Sequence, residues 1–177
     1  MRTLSYTVAV SLDGYIARPD GDFSDFPFDD DFAAQFLQSL NRFDAIVMGR
    51  STWEVGADQG VTNPYPFLDV DKVLVSTTMV DSPDPAVRLT ADPVAEVTRM
   101  KQEAGGPIWL CGGSQLATTL LEAGLIDEIV LKHNPVLLRA GIPLLRPGGA
   151  VRHARHTGSE VHAATGIRTS SYELIAP

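Results

Sequence analysis

The sequence has a single cysteine, Cys111, among its 177 residues. One thiol can form neither an internal disulfide nor a thiolate zinc cluster, and this usage is typical of a reducing compartment. Uninterrupted apolar runs stay well below the ~20 residues that span a bilayer, and the first residues lack the apolar stretch of a signal peptide. We therefore expect a soluble, cytoplasmic protein with no membrane partner.

Positive charge is also scarce, with 14 basic against 22 acidic residues and a formal net charge of -8. Such a chain repels nucleic-acid phosphates at long range. The four histidines form no helical pair with an acid, and no Gly-x-Ser-x-Gly elbow occurs, so neither a metal site nor a serine hydrolase is indicated. These absences favour a metal-free protein with a small-molecule partner, built as one domain over residues 1–177.

Strand and helix patterns alternate along the chain. Apolar runs predict strands, and the polar-edged stretches 151–156 and 168–175 predict an antiparallel hairpin around Gly166. The earlier runs lie at 4–10, 45–48, 73–75, 108–111 and 129–131. The order favours an α/β fold with a mostly parallel sheet and an antiparallel C-terminal edge.

Helices are predicted between these strands. One follows the acids at 29–31 and extends to about residue 42, and another opens at Asp92 and Pro93. A third runs from 114 to its stop at Gly124. Ser51 and Glu54 have the spacing of a capping box for a short helix.

Two turns that follow predicted strands can bind phosphate. Residues 49–52 combine free N–H groups with the Arg50 guanidinium and two hydroxyls, and residues 112–115 offer two glycines at a helix start. The alternatives are a strand-ending turn with a solvated arginine, and glycines that serve tight helix–strand packing. Two such turns on separate strands favour a dinucleotide with separated phosphates.

Three further segments are candidates. The hydroxyls at 76–78 can bind a ribose phosphate beside Arg50, or only cap a turn. The loop at 11–17 suits closure over a flat cofactor, although Asp13 can simply form a turn with its neighbouring glycine. The acids at 29–31 include a candidate proton donor, Asp31, but acids at a helix start also serve as partners of its dipole.

Several motifs occur together along nearly the whole chain: SLDGYIA at 11–17, IVMGRSTWE at 46–54, GGSQL at 112–116, LIDEI at 125–129 and PVLLRAGIPL at 135–144. Together they resemble the dihydrofolate reductases. They are more similar to the reductase domain of riboflavin-biosynthesis deaminase-reductases, the RibD C-terminal domain, and its stand-alone relatives. The resemblance implies a three-layer α-β-α dihydrofolate-reductase-like fold and a homodimer.

The resemblance also implies an NADPH site. Small and apolar residues match positions that line the nicotinamide, the turn at 49–52 would hold phosphates, the hydroxyl turn would lie near the adenosine ribose, and the glycine turn would cradle the diphosphate. These residues are Ala9, Ile16, Ala17, Gly49, Arg50, Ser51, Thr52, Ser76, Thr77, Gly112, Gly113, Ser114, Gln115 and Leu116. Asp13 matches the acidic residue of the branch's loop, and we name Asp13 and Asp31 as candidate catalytic acids.

Two departures separate the chain from these families. The helix carboxylate that supports pterin protonation in dihydrofolate reductases matches a position near Ala33, and the His-x-Glu and Pro-Cys-x-x-Cys motifs of the zinc deaminase do not occur. We therefore expect an NADPH-dependent oxidoreductase that passes hydride to a C=N or C=O bond of a small heterocycle, either pterin-like or a riboflavin precursor. The alternative is an NADPH-binding module without efficient catalysis.

Overall fold

An eight-stranded sheet forms the centre of the molecule, seen in a computed structural model that describes residues 1–55, 57, 60–61 and 63–175. A second, small sheet pairs β2 (Tyr15–Ala17) with β8 (Ile142–Pro143). The strands of the large sheet are β1 (Leu4–Ser11), β3 (Ala45–Gly49), β4 (Asp71–Val75), β5 (Val87–Thr90), β6 (Ile108–Gly112), β7 (Glu128–Asn134), β9 (Ala154–Val161) and β10 (Arg168–Leu174).

The strands are ordered β5-β4-β3-β6-β1-β7-β10-β9 across the large sheet. The first six run parallel, β10 is antiparallel to β7, and β9 is antiparallel to β10. The predicted parallel sheet with an antiparallel C-terminal edge is confirmed. The prediction for β9 began and ended too early, because seven of its eight residues are exposed and their polarity carries no alternating pattern.

The helices are α1 (Asp30–Leu40), α2 (Arg50–Trp53), α3 (Pro93–Gln102) and α4 (Ser114–Glu122). Local capping sets two of the starts, since the Asp29 side chain accepts from the N–H of Phe32 and the Asp92 side chain from that of Ala95. The longest of these helices has 11 residues, and none in the described part of the chain could cross a membrane.

The capping box predicted at Ser51 and Glu54 is wrong. Helix α2 begins at Arg50, its N-cap position is Gly49, and no side chain caps it. Ser51 already lies inside the helix, so its hydroxyl is not placed to cap. The Glu54 carboxylate instead pairs with Arg50, at 2.7 Å from Nε.

Two apolar cores lie on opposite faces of the large sheet. Met100 of α3 and Leu120 of α4 pack on one face, while Leu40 of α1 and Trp53 of α2 pack on the other. The strands between them are buried on both sides, as the continuous apolar run of β3 predicted. The three-layer α-β-α arrangement is confirmed, and the parallel strands end together at one edge.

Candidate active site

A cleft of about 1280 Å³ opens where the parallel strands end. Its volume exceeds the range of about 300–1,000 Å³ that is usual for a single small ligand, so a cofactor and a substrate fit together. All fourteen residues predicted to bind the cofactor line this cleft. The structure thus brings together side chains from the first loop, the turns after β3, β4 and β6, and helix α4. That these residues bind a cofactor stays a prediction.

The two phosphate-competent turns lie against each other on the adjacent strands β3 and β6. A Cβ added at Gly49 would lie 3.6 Å from the backbone nitrogen of Gly113, and one added at Gly112 would lie 3.4 Å from the hydroxyl oxygen of Thr52. Gly112 also has a φ of +143°, which an L side chain rarely adopts. The backbone conformation of Gly112 therefore favours glycine, while a Cβ at either position would meet the neighbouring turn at van der Waals distance.

Ser114 places an unpaired hydroxyl at the start of α4. Its side chain is only 5% exposed, it lines the cleft, and its Oγ has no hydrogen-bond partner among the described residues. The first backbone N–H groups of a helix have no partner within it, and the helix dipole favours an anion there. A phosphate oxygen would satisfy these donors, so the residues present fit a nucleotide diphosphate.

Arg50 is held at a second position of the cleft, beside the hydroxyl turn. Its Nη1 donates to Thr78 Oγ1 at 2.8 Å, and its Nε donates to Glu54. The Ser76 hydroxyl accepts from the N–H groups of Thr78 and Met79, at 3.2 and 3.1 Å, and so shapes the turn. The Arg50 guanidinium and the exposed residue Thr77 together form a polar site that would suit one phosphate group of a ligand.

The charges lining the cleft oppose the charge of the whole protein. Arg50, Lys132 and Arg146 face it, and no carboxylate among the described residues does. The Arg146 guanidinium donates to Gln115 Oε1 at 3.0 Å, close to the start of α4. In a chain of net charge -8, such local positive charge attracts a polyanion.

The predicted proton donors do not face the cleft. The Asp13 carboxylate accepts from Ser11 Oγ at 2.6 Å and from the N–H groups of Leu138 and Arg139 at 3.1 and 2.7 Å. These hydrogen bonds, that from Ser11 foremost, lower the pKa of Asp13, so it is an ionised tie between two loops. Asp31 lies exposed on the first turn of α1, and neither acid lines the cleft.

Lys132 is a candidate that the sequence analysis missed. It lies within β7, and its Nζ stands 3.5 Å from the centroid of the Phe36 ring. Burial lowers the pKa of this amine to about 8. No motif surrounds it, and a lone lysine in a strand usually faces solvent. Only the approach of α1 to β7 reveals its position.

An aromatic wall also lines the cleft, and it was likewise not predicted. Phe28, Phe32 and Phe36 line the cleft from the side of α1, and Trp109 lines it from β6. The Trp109 ring packs edge-on against Phe36, with centroids 5.9 Å apart, and its Nε1–H donates to the carbonyl of Thr7. This wall gives the part of the cleft that it lines an apolar, planar surface.

The comparison with protein families rests on nearly the whole chain, since residues 2–165 match the model of the RibD C-terminal domain. The chain belongs to the RibD C-terminal domain family. It is 30% identical to the uncharacterized protein YyaP of Bacillus subtilis (strain 168) over 152 residues, 81% of this chain and 80% of that protein. It is 32% identical to YwjB of the same organism over 148 residues, 81% and 82% of the two chains.

Two solved structures share the fold of this RibD C-terminal domain. A protein of Shewanella sp. PV-4 assigned to riboflavin biosynthesis superposes with a TM-score of 0.82 at 24% identity, over 99% of this chain and 100% of that one. The dihydrofolate reductase of Enterococcus faecalis, complexed with NADP(H), superposes with a TM-score of 0.71 at 14% identity, over 98% and 97%. The predicted membership of the RibD C-terminal domain family and the predicted dihydrofolate-reductase-like fold are confirmed.

Proposed function

We propose that this chain is an NADPH-dependent reductase, which passes hydride to a C=N or C=O bond of a small heterocycle, pterin-like or a riboflavin precursor. The observation that carries the proposal is the pair of contacting glycine turns with the buried, unpartnered Ser114 hydroxyl. This pair lies in a cleft that is lined by cations and by no carboxylate of the described residues. The dihydrofolate reductase of Enterococcus faecalis, which has the same fold and is complexed with NADP(H), supports it.

The residues of the cleft divide between the parts of the cofactor. The N–H groups and hydroxyl at the start of α4 suit the diphosphate, and Arg50 with the hydroxyl turn suits the 2′-phosphate. Ala9 and Ala17 are small residues that line the cleft, which suits the nicotinamide. NADPH supplies the hydride when bound. The chain's part is to orient the reacting groups and to exclude water with its aromatic wall.

Isothermal titration of NADPH and NADH into wild type and Arg50→Ala tests the cofactor. Loss of a charge-assisted phosphate contact costs about 1.5–3 kcal/mol, so we expect Arg50→Ala to weaken NADPH binding about 10–100-fold and NADH binding little. Arg99→Ala is the matched control, because Arg99 is an exposed arginine of α3 that pairs with Glu96 and Glu103 outside the cleft. Absence of heat with every pyridine nucleotide would refute the proposal.

A second candidate is an NADPH-binding module without efficient catalysis. The observation that favours it is the lack of a carboxylate among the described residues that line the cleft, together with Ala33 near the position of the helix acid. Following NADPH absorbance with dihydrofolate and with the riboflavin-pathway pyrimidine separates the two candidates. Oxidation of NADPH with either compound supports the reductase, whereas tight NADPH binding with no oxidation across a wider panel supports the module.

A further inference from the structure

Lys132 is the basic group beside the aromatic wall of the cleft, where we expect the substrate. On β7 it lies opposite Ala9 of β1 and Thr169 of β10, so its side chain projects from the same face of the sheet as Ala9. Its Nζ approaches the Phe36 ring of α1 to 3.5 Å. Because Ala9 borders the expected nicotinamide position, the ammonium group lies between that position and the aromatic wall.

The groups that face Lys132 leave it without an ionic partner. No carboxylate of the described residues forms a salt bridge with it. The titratable group that acts on the Lys132 pKa is the Cys111 thiol of β6, whose Sγ lies 3.7 Å from the Tyr65 hydroxyl. Burial raises the pKa of Cys111 to about 11, so this thiol stays neutral at pH 7. Glu160 lies on the exposed strand β9, which is separated from β7 by β10.

The other lysines of the chain have structural partners. Lys72 Nζ donates to the carbonyl of Leu68 at 2.6 Å, and Lys101 Nζ donates to the carbonyl of Leu125 and pairs with Asp127. By contrast, Lys132 Nζ donates no hydrogen bond to the described residues, and Lys132 lines the cleft. A buried amine without a structural partner is costly to keep, which points to a role in binding or chemistry.

We propose that Lys132 is a catalytic residue, the proton donor for the reduction. This inference rests on the proposed function. Hydride adds to the carbon of the C=N or C=O bond, the π electron pair moves onto nitrogen or oxygen, and the Lys132 N–H bond breaks as its proton joins that atom. NADPH is oxidised to NADP⁺ and the substrate is reduced. The neutral amine of Lys132 then takes a proton from water. The role fits the amine pKa of about 8, because a general acid works best with a pKa near the working pH.

Competitive labelling of the whole protein with acetic anhydride from pH 6 to pH 10, read by peptide mass spectrometry, tests this placement without turnover. The amines that can be labelled are the three lysines and the terminal amine, and Lys72 and Lys101 are buried internal references. We expect Lys132 reactivity to titrate near pH 8. Because the oxidised nicotinamide carries a positive charge, saturating NADP⁺ should lower this midpoint relative to saturating NADPH. The phosphates of the two forms are alike and cancel in the comparison. Equal midpoints with the two forms, or a free midpoint near 10.5, would overturn the proposal.

Two substitutions separate proton donation from charge. Lys132→Met removes both, while Lys132→Arg keeps the charge but cannot release a proton below pH 12. We expect both to lower kcat about 100-fold with either probe substrate and to change NADPH affinity less than about threefold. The wild-type rate should fall above pH 8, where Lys132 loses its proton, and both variants should lack this fall. Full activity of Lys132→Arg would overturn proton donation.

Failure of this inference is distinguishable from failure of the proposed function. Wild type that binds no pyridine nucleotide removes the reductase itself. Wild type that oxidises NADPH, with Lys132→Met equally active, leaves the reductase intact and overturns only the role of Lys132. If wild type binds NADPH but oxidises it with neither probe, the labelling experiment decides. A lower midpoint with NADP⁺ than with NADPH then supports the role of Lys132, and equal midpoints overturn it.

Discussion

Replacing Lys132 by methionine should make the protein more stable near neutral pH. Burial lowers the Lys132 pKa from 10.5 to about 8, which means that folding penalises the charged amine. Each unit of pKa corresponds to about 1.4 kcal/mol, giving about 3 kcal/mol for the shift. The cation–π contact with Phe36 returns about 1 kcal/mol, and part of the side chain stays open to the cleft. We therefore expect Lys132→Met to gain about 2 kcal/mol in free energy of unfolding.

The gain should depend on pH in a defined direction. Between pH 8 and pH 10.5 the unfolded chain holds a proton that the folded chain has released, so wild-type stability rises there relative to the variant. The advantage of Lys132→Met should be complete below pH 8 and absent above 10.5, as measured by urea unfolding of both proteins at each pH. The control is Lys101→Met, which removes the lysine donor from Asp127 and from the carbonyl of Leu125 and should destabilise the protein at pH 7. A difference between wild type and Lys132→Met that stays constant from pH 7 to pH 10.5 would refute the reasoning.

Three other predictions concern the frame of the cleft. Trp109→Phe loses a donor at 3.1 Å to a β1 carbonyl, so urea unfolding should show a loss of about 1–3 kcal/mol, and an unchanged midpoint would contradict this. Gly112→Ala forces a side chain to φ +143° against the next turn; calorimetry should show a lower Tm and weaker NADPH binding, and normal binding would argue against the glycine cradle. Asp13→Asn weakens the tie to residues 138 and 139. Because hydrogen bonds lower the Asp13 pKa, the wild-type advantage should be present above the unfolded pKa and vanish as pH falls through the folded value. An equal advantage in urea at pH 7 and pH 2.5 would contradict that assignment.

Elements with a local pattern could be predicted from the sequence. Asp92 caps the start of α3, and the fixed φ of Pro93 suits the first helical position, so this start could be predicted. Strand β3 is an apolar run between polar ends, which is likewise a local pattern. Strand β5 has four residues, and its pairing with β4 depends on a partner that its own sequence does not specify. The short helix α2 was predicted, but its predicted capping box is wrong, because Ser51 is the second residue of the helix and Gly49 is its N-cap.

The candidate site divides in the same way. The glycine turns after β3 and β6 follow directly from local sequence and from the common edge of parallel strands, so they were found. Lys132 was not, because its environment comes from Phe36, which lies 96 positions earlier in the chain. The two proton-donor candidates were chosen by residue type, whereas the structure assigns Asp13 to a loop tie and leaves Asp31 in solvent.

The central place of β1 separates the order of synthesis from the order of folding. This strand ends at residue 11, yet its neighbours in the sheet, β6 and β7, are complete only at residues 112 and 134. At roughly 5–20 residues per second, a ribosome needs about 6–25 s to make the intervening chain. Until residue 112 is made, about 5–20 s of that time, the nascent chain holds an apolar strand without either native neighbour. We therefore expect the yield of folded protein from cells to depend on chaperone binding and to rise when the cells grow at lower temperature.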